Sequence, residues 1–255
     1  MNLLSAVIIT FNEENNILRC IQSLKMVADE ILVMDSFSTD QTKSIAISQG
    51  VRFIEQEFLG YGAQKNAAVA ASRYDYVLNL DADEFLSQEL SESIRKEKEA
   101  GFTSDYYTTN RLNKYRGQWI KHGTWYPDKK IRLYNRRKGF WSDSLVHEEV
   151  IMTPGTVQKH LRGDIMHHAY ETEEQHRKKN EKYSTLSAQS MWSKGRKISR
   201  VNLVTNPAWA FIHSYLVKLG MLDGINGFRI ARNIAWLNYM KNAKLLAMQK
   251  QRTED

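Results

Sequence analysis

The chain has 255 residues, 42% hydrophobic and 25% charged, with a formal net charge of +7 at pH 7 and one cysteine. That is enough apolar residue for a substantial core, while the lone Cys20 excludes an internal disulfide framework and points to a reducing compartment. The charge is split: residues 1–100 hold 9 Lys/Arg against 16 Asp/Glu, and the remainder 27 against 13, so −7 is followed by +14.

Leu3–Thr10 is apolar and β-branched, with no Lys or Arg before Arg19. It is expected as a first strand, not a signal peptide. Glu14–Lys25 places Ile17, Leu18, Ile21 and Leu24 at helical spacing. Glu30–Met34 reads as a strand, Thr39–Gln49 as a helix capped by Thr39 or Asp40, and Val51–Ile54 as a strand. Gln64–Ser72 is an Ala-rich helix, Tyr76–Leu80 a strand, and Ser87–Ala100 a helix. Alternation with short connections predicts βαβ units and a mostly parallel sheet.

Beyond residue 100 the pattern changes. Thr103–Tyr115 and Ile131–Tyr134 read as strands of mixed orientation, and the chain from about Glu171 reads as helical and basic. The uncharged run Val201–Val217 contains Asn202, Thr205, Asn206, Pro207 and Ser214, too polar for a hydrocarbon span, so no transmembrane helix is expected. The expected organisation is one α/β core with a C-terminal helical extension. The basic part predicts an anionic partner: nucleic acid, a phosphorylated substrate or a membrane surface.

The candidate chemistry sits at strand ends. Val77-Leu78-Asn79-Leu80 runs into Asp81-Ala82-Asp83-Glu84. Open α/β sheets bind ligands at their carboxyl edge, and two carboxylates there suit Mg²⁺ or Mn²⁺ with phosphate and water completing the shell. The same residues also suit an acidic helix cap, and D-x-D alone leaves both readings open. Strand one ends in Thr10-Phe11-Asn12-Glu13, and strand two in Asp35-Ser36-Phe37-Ser38-Thr39-Asp40. Asp35 lies at the strand end itself, where capping explains it poorly. Gly60-Tyr61-Gly62 reads as a flexible turn delivering Lys65 and Asn66 at a helix start, and no glycine-rich dinucleotide fingerprint follows strand one.

These pieces, in this order, resemble the family 2 glycosyltransferases of GT-A fold, a Rossmann-like sheet flanked by helices. Within that family they resemble the bacterial lipopolysaccharide core β-glucosyltransferases. Residues 1–90 carry the general pattern. Trp125-Tyr126-Pro127-Asp128, Val146-His147-Glu148 and His167-His168-Ala169-Tyr170 carry the narrower one.

The resemblance implies a GT-A domain over 1–170, with a nucleotide-sugar half (1–100) and an acceptor half (101–170), and an extension over 171–255. It implies that Asp35 bonds the uracil of a UDP-sugar, and that Thr10, Asn12 and Glu13 help hold the nucleoside. It puts Lys65 and Asn66 near base and ribose, with Asp81 facing the ribose or a metal-bound water. Asp83 would ligate Mn²⁺ or Mg²⁺, with His167 completing the metal site. Glu148 would be the catalytic base, with Glu149 as its competitor.

The expected activity is inverting, metal-dependent transfer of a sugar from a nucleotide diphosphate to a glycan, phosphorylated or lipid-linked acceptor. Peripheral contact with an anionic cytoplasmic membrane face is expected, and no nucleic acid. Trp119, Trp125, Tyr126 and Trp141 suggest a sugar platform, and Lys129, Lys130, Arg132, Arg136, Arg137 and Lys138 a basic face for the acceptor. Beyond Pro207, aromatic and aliphatic residues alternating with Lys and Arg suggest interfacial helices. Two rivals are a sugar-phosphate nucleotidyltransferase, which wants a glycine-rich basic loop after strand one, and a nucleic-acid-binding module, which leaves the carboxylates without a purpose.

Overall fold

A computed structural model describes residues 2–143 and 148–254. The apolar run at the N-terminus forms β1 (Leu4–Thr10), followed by α1 (Ile17–Leu24), β2 (Glu30–Asp35), α2 (Thr42–Ser48), β3 (Arg52–Glu55), α3 (Tyr61–Ala71) and β4 (Tyr76–Asp81). β2 and β4 flank β1, β3 lies outside β2, and all three pairings are parallel. Register places Thr10 beside Asp35 and Ile9 beside Asp81, so three strands end together at one carboxyl edge.

After β4 the chain makes β5 (Glu84–Leu86), α4 (Gln88–Glu99), β6 (Tyr106–Tyr115), β7 (Gln118–Ile120), β8 (Asp128–Asn135), β9 (Gly139–Trp141), β10 (Val150–Met152) and β11 (Gln158–Tyr170). The main sheet runs β3-β2-β1-β4-β8-β6-β11-β5, with β7 on β6, while β9 and β10 form a separate antiparallel pair. The change to antiparallel pairing begins where β8 meets β4. The result is the mixed, helix-flanked sheet of a GT-A fold, with a long C-terminal helix.

Helices α1 and α2 start later than periodicity predicts, whereas α3 starts earlier, at Tyr61 rather than Gln64. α1 begins at Ile17 rather than Glu14, and α2 at Thr42 rather than Thr39. The two preceding loops clasp each other instead: Asn12 N donates to Ser38 Oγ (2.8 Å), Thr39 N to Asn12 Oδ1 (2.8 Å), and Glu13 N to Thr42 Oγ1 (2.8 Å). Asp40 accepts from the Thr42 and Glu14 amides, so its capping carboxylate also ties the loops together.

The chain divides into two compact units, residues 1–111 with 129–167 and residues 112–128 with 168–255. Residues 112–128 therefore belong with the helical chain, which departs from an acceptor half running unbroken over 101–170. The first unit buries two apolar clusters, one on each face of its sheet strands, built around Ile8, Ile21 and Leu78 and around Val7, Val77 and Trp141.

The second unit contains α5 (Glu173–Ser193), α6 (Asn202–Ile212) and α7 (Gly224–Glu254). α5 begins in a capping box between Thr172 and Gln175. α7 buries Ile230 against Tyr115 and Ile120. Its Asn233 takes the Nδ1 side of the buried His176 ring at 3.2 Å, and that ring stacks on Tyr170 with 4.6 Å between centroids.

Candidate active site

At the ends of β1 and β2, Asp35 is wholly buried and spends both carboxylate oxygens on one residue. Ser38 N donates to Oδ2 (2.7 Å) and Ser38 Oγ to Oδ1 (2.5 Å). The turn is completed by Phe37 at φ 61°. Beside it, Thr10 is 6% exposed and its hydroxyl has no hydrogen-bond partner among the described residues. A buried hydroxyl left unpaired carries a desolvation penalty that an incoming polar ligand would relieve. Glu13 holds Asn16 through Oε2 (2.7 Å). Burial pushes its carboxyl above the usual range against the pull of Asn16, and Asp83 adds to the rise.

The Asp-Ala-Asp-Glu segment is wired to two buried cations. Lys65, 2% exposed, lies 3.0 Å from Asp81 Oδ1 and 3.0 Å from Glu148 Oε1. Arg132, 3% exposed, reaches Asp81 Oδ2 at 3.3 Å and Glu84 Oε1 at 2.7 Å. Glu84 is buried, and its second oxygen accepts the Asp81 amide (3.1 Å), which fixes the end of β4. Burial alone would raise the Asp81 carboxyl. Lys65 and then Arg132 outweigh it and hold the group well below the usual carboxylate range.

Both cations lie over the indole of Trp141, Lys65 Nζ at 4.5 Å and the Arg132 guanidinium at 5.5 Å from the ring centroid. Trp141 is held by Nε1–H to Asn79 Oδ1 (3.1 Å) and by Asn66, whose amide pairs with the Trp141 main chain in both directions (2.8 and 2.9 Å). The close approach of α3 to this strand depends on Gly62, where a Cβ would fall 2.1 Å from the Ser142 carbonyl oxygen. Gly62 is thus a packing position in the first turn of α3, where the sequence predicts a flexible turn ahead of the helix.

Asp83 faces His167, with Oδ2 and Nε2 3.2 Å apart. The contact arises because β5 pairs antiparallel with β11, setting His167 opposite Glu84. Among the described residues no three His, Cys, Asp or Glu side chains form a metal cluster. One carboxylate and one imidazole still fit Mn²⁺ or Mg²⁺, since such ions take few protein ligands and complete the shell with phosphate and water. Glu148 and Glu149 differ sharply: Glu148 is paired with Lys65, whereas Glu149 is exposed and bonds Ser142 through its main chain. Val146 and His147 of the same motif lie outside the described residues.

The structure brings Thr10, Asp35, Lys65, Asp81, Asp83, Glu148 and His167 onto elements of the first unit, while Asn12 and Glu13 form the loop clasp and Asn66 holds Trp141. Two expectations need correction. Trp141 cannot present a sugar platform, because it is 3% exposed and covered by Lys65 and Arg132. The basic cluster at 129–138 is not one face: Arg132 is buried among carboxylates, Arg136 donates to the Val69 and Ser72 carbonyls, Arg137 pairs with Asp75 and Lys138 with Asp105. Arg132 and Trp141 are the site residues that motif reading placed elsewhere. The available signal was a lone Arg inside the apolar strand Ile131–Tyr134, where a cation demands a buried partner.

The first unit thus sets paired carboxylates at a parallel strand edge, with a histidine facing one of them and a further glutamate tied to the other through Lys65. The chain belongs to glycosyl transferase family 2, whose model matches residues 5–152. It is 33% identical to an uncharacterized glycosyltransferase of Rickettsia typhi, over 96% of this chain and 87% of the relative. It is 31% identical to the lipopolysaccharide core biosynthesis glycosyltransferase LpsC of Rhizobium meliloti, over 95% and 91% respectively. Among solved structures it shows a partial likeness to glucosyl-3-phosphoglycerate synthase from Mycobacterium tuberculosis in complex with Mn²⁺, UDP and glucosyl-3-phosphoglycerate. That match has a TM-score of 0.36 and 26% identity, covers 46% of this chain, and spans only 45% of that enzyme.

Proposed function

We propose that this glycosyltransferase is an inverting, metal-dependent enzyme that takes its sugar from a nucleotide diphosphate, UDP-linked, and passes it to a glycan or glycolipid of the cell envelope. One observation carries the reading: Lys65 ties the base candidate Glu148 to Asp81 at the end of β4, two residues before Asp83, which faces His167 of β11. The likeness to LpsC supports lipopolysaccharide as the acceptor class. The acceptor is met on the inner face of the cytoplasmic membrane, where the protein sits peripherally.

In this reading Asp35, Thr10 and the Asn12–Glu13 loop frame the nucleoside, with the unpaired Thr10 hydroxyl as a ready polar contact. Asp83 and His167 would hold Mn²⁺ or Mg²⁺, which when bound neutralises charge on the departing diphosphate. Glu148 accepts the proton of the acceptor hydroxyl as that oxygen forms its bond to the anomeric carbon and the bond to the diphosphate breaks. One carboxylate is enough, because the leaving group departs as an anion. Lys65 and Arg132 keep Asp81 ionised and the segment rigid, so the ligand geometry is set before the donor arrives.

A thermal-shift screen of UDP-sugars and other nucleotide sugars, each with Mn²⁺ and with EDTA, tests the reading. A UDP-sugar that raises Tm only with the metal is expected. Equal shifts with EDTA, or none with any nucleotide sugar, would contradict it.

A further inference from the structure

Helix α6 contains no buried residue, although its sequence is mostly apolar. Val201, Val204, Trp209, Ile212 and Leu216 recur at three-to-five-residue spacing and are all exposed, Val204 by 71% and Trp209 by 61%. The surface continues through Leu219, Leu222 and Ile225 in the turn that leads into α7. The neighbouring α7 behaves differently, burying Ile230, Ala231 and Leu245. A contiguous apolar surface of this extent marks a partner.

Charge identifies the partner. Residues 182–222 carry six Lys or Arg and no Asp or Glu. Lys194, Arg196, Lys197 and Arg200 are exposed immediately before the apolar run, and Lys218 is exposed within it. Between Glu181 and Glu254 the one acidic residue is Asp223, which is buried and accepts the Lys121 and His122 amides. A second copy of this chain docked here would set like charges against each other, because a two-fold contact uses the same patch on both sides. An apolar surface whose exposed flanking charges along the chain are all cationic matches an anionic lipid surface, with aliphatic and indole groups at the headgroup boundary and ammonium and guanidinium groups among the phosphates.

We propose that residues 194–228 form a monotopic docking surface that beds α6, through Val204, Trp209, Ile212 and Leu216, on an anionic bilayer. No helix among the described residues is long and apolar enough to cross a membrane, so the contact is interfacial. This deepens the membrane-acceptor reading above and does not depend on the nature of the donor.

The test is flotation of the full chain with phosphatidylcholine vesicles, with and without phosphatidylglycerol, beside a Trp209→Glu/Leu216→Glu variant. Both positions are exposed, so the variant keeps its core. The chain should float with the anionic vesicles. Partition should fall about tenfold or more without phosphatidylglycerol, in roughly 0.5 M salt, and in the variant. Release of UDP from a UDP-sugar, measured without vesicles, should be the same in both proteins. A chain that stays down with anionic vesicles, or a variant that floats equally well, overturns the proposal. So does a dimer, seen by sedimentation, that the two substitutions dissociate. Absent UDP release with intact flotation would instead count against the glycosyl-transfer reading alone.

Discussion

Arg132 and Glu84 are both almost fully buried and stand 2.7 Å apart, so removing Arg132 leaves the Glu84 charge in the core with Arg111, 3.4 Å away, as its remaining cation among the described residues. Arg132→Met should destabilise the protein by about 3 kcal/mol in urea unfolding, the scale for breaking a buried pair from one side. A loss below about 1 kcal/mol would show that Glu84 is compensated elsewhere. Glu148→Gln should leave donor affinity intact and lower turnover ~10²-fold or more, while Glu149→Gln, on an exposed side chain, should be mild. Equal small losses would remove Glu148 as the base. His176 carries a pH signature. Burial depresses its imidazole to about 4, so as pH falls the unfolded chain takes up the proton first. Stability is therefore full above about 6.5 and declines by about 3 kcal/mol on the way to pH 4, a drop that His176→Gln should flatten. Asp81 and Asp83 were legible as residues because a strand end and acidic spacing are local signals, whereas His167 came from the family resemblance alone. The roles of Arg132 and Trp141 were not legible, since they exist only once β8 and β9 are folded beside β4 and α3.

At the scale of elements, the βα alternation through β4 was readable because each strand is a short apolar run closed by polar turn residues. The short β5 and the β9–β10 pair carry only three residues per strand, too few for periodicity to register. Yet β5 sets His167 against Asp83, and the β9–β10 pair carries Glu148 to Lys65, so the site rests on elements with the weakest sequence signal. The starts of α1 and α2 were misjudged for a related reason, since the residues expected in their first turns bond each other across the two loops. Close approaches make these elements testable. Gly163 has φ +90°, and a Cβ there would lie 2.3 Å from the Leu90 amide at the start of α4. Gly163→Ala should lower Tm by several degrees, whereas Gly155→Ala, at a similar φ with open space around it, should be milder. Equal effects would mean that backbone conformation rather than packing governs both sites.

Over the whole molecule, the division between an acidic first hundred residues and a basic remainder corresponds to different tasks. The acidic part supplies Asp35, Asp81 and Asp83. The basic part supplies Arg132, turned inward as the counter-charge of Asp81 and Glu84, and the apolar surface of α6 with its basic flanks. Residues 112–128 fold with the helical chain around Tyr115, Trp125, Tyr170 and His176, which composition could not reveal because those residues are distant in sequence. Metal-dependent donor chemistry at the β4 edge is read out most directly by UDP release from a panel of UDP-sugars with Mn²⁺, with EDTA, and with Asp83→Asn. Slow release from at least one donor is expected with Mn²⁺, abolished by EDTA and by Asp83→Asn in a variant that still folds. Release that persists undiminished in EDTA and in Asp83→Asn would contradict metal-dependent chemistry there.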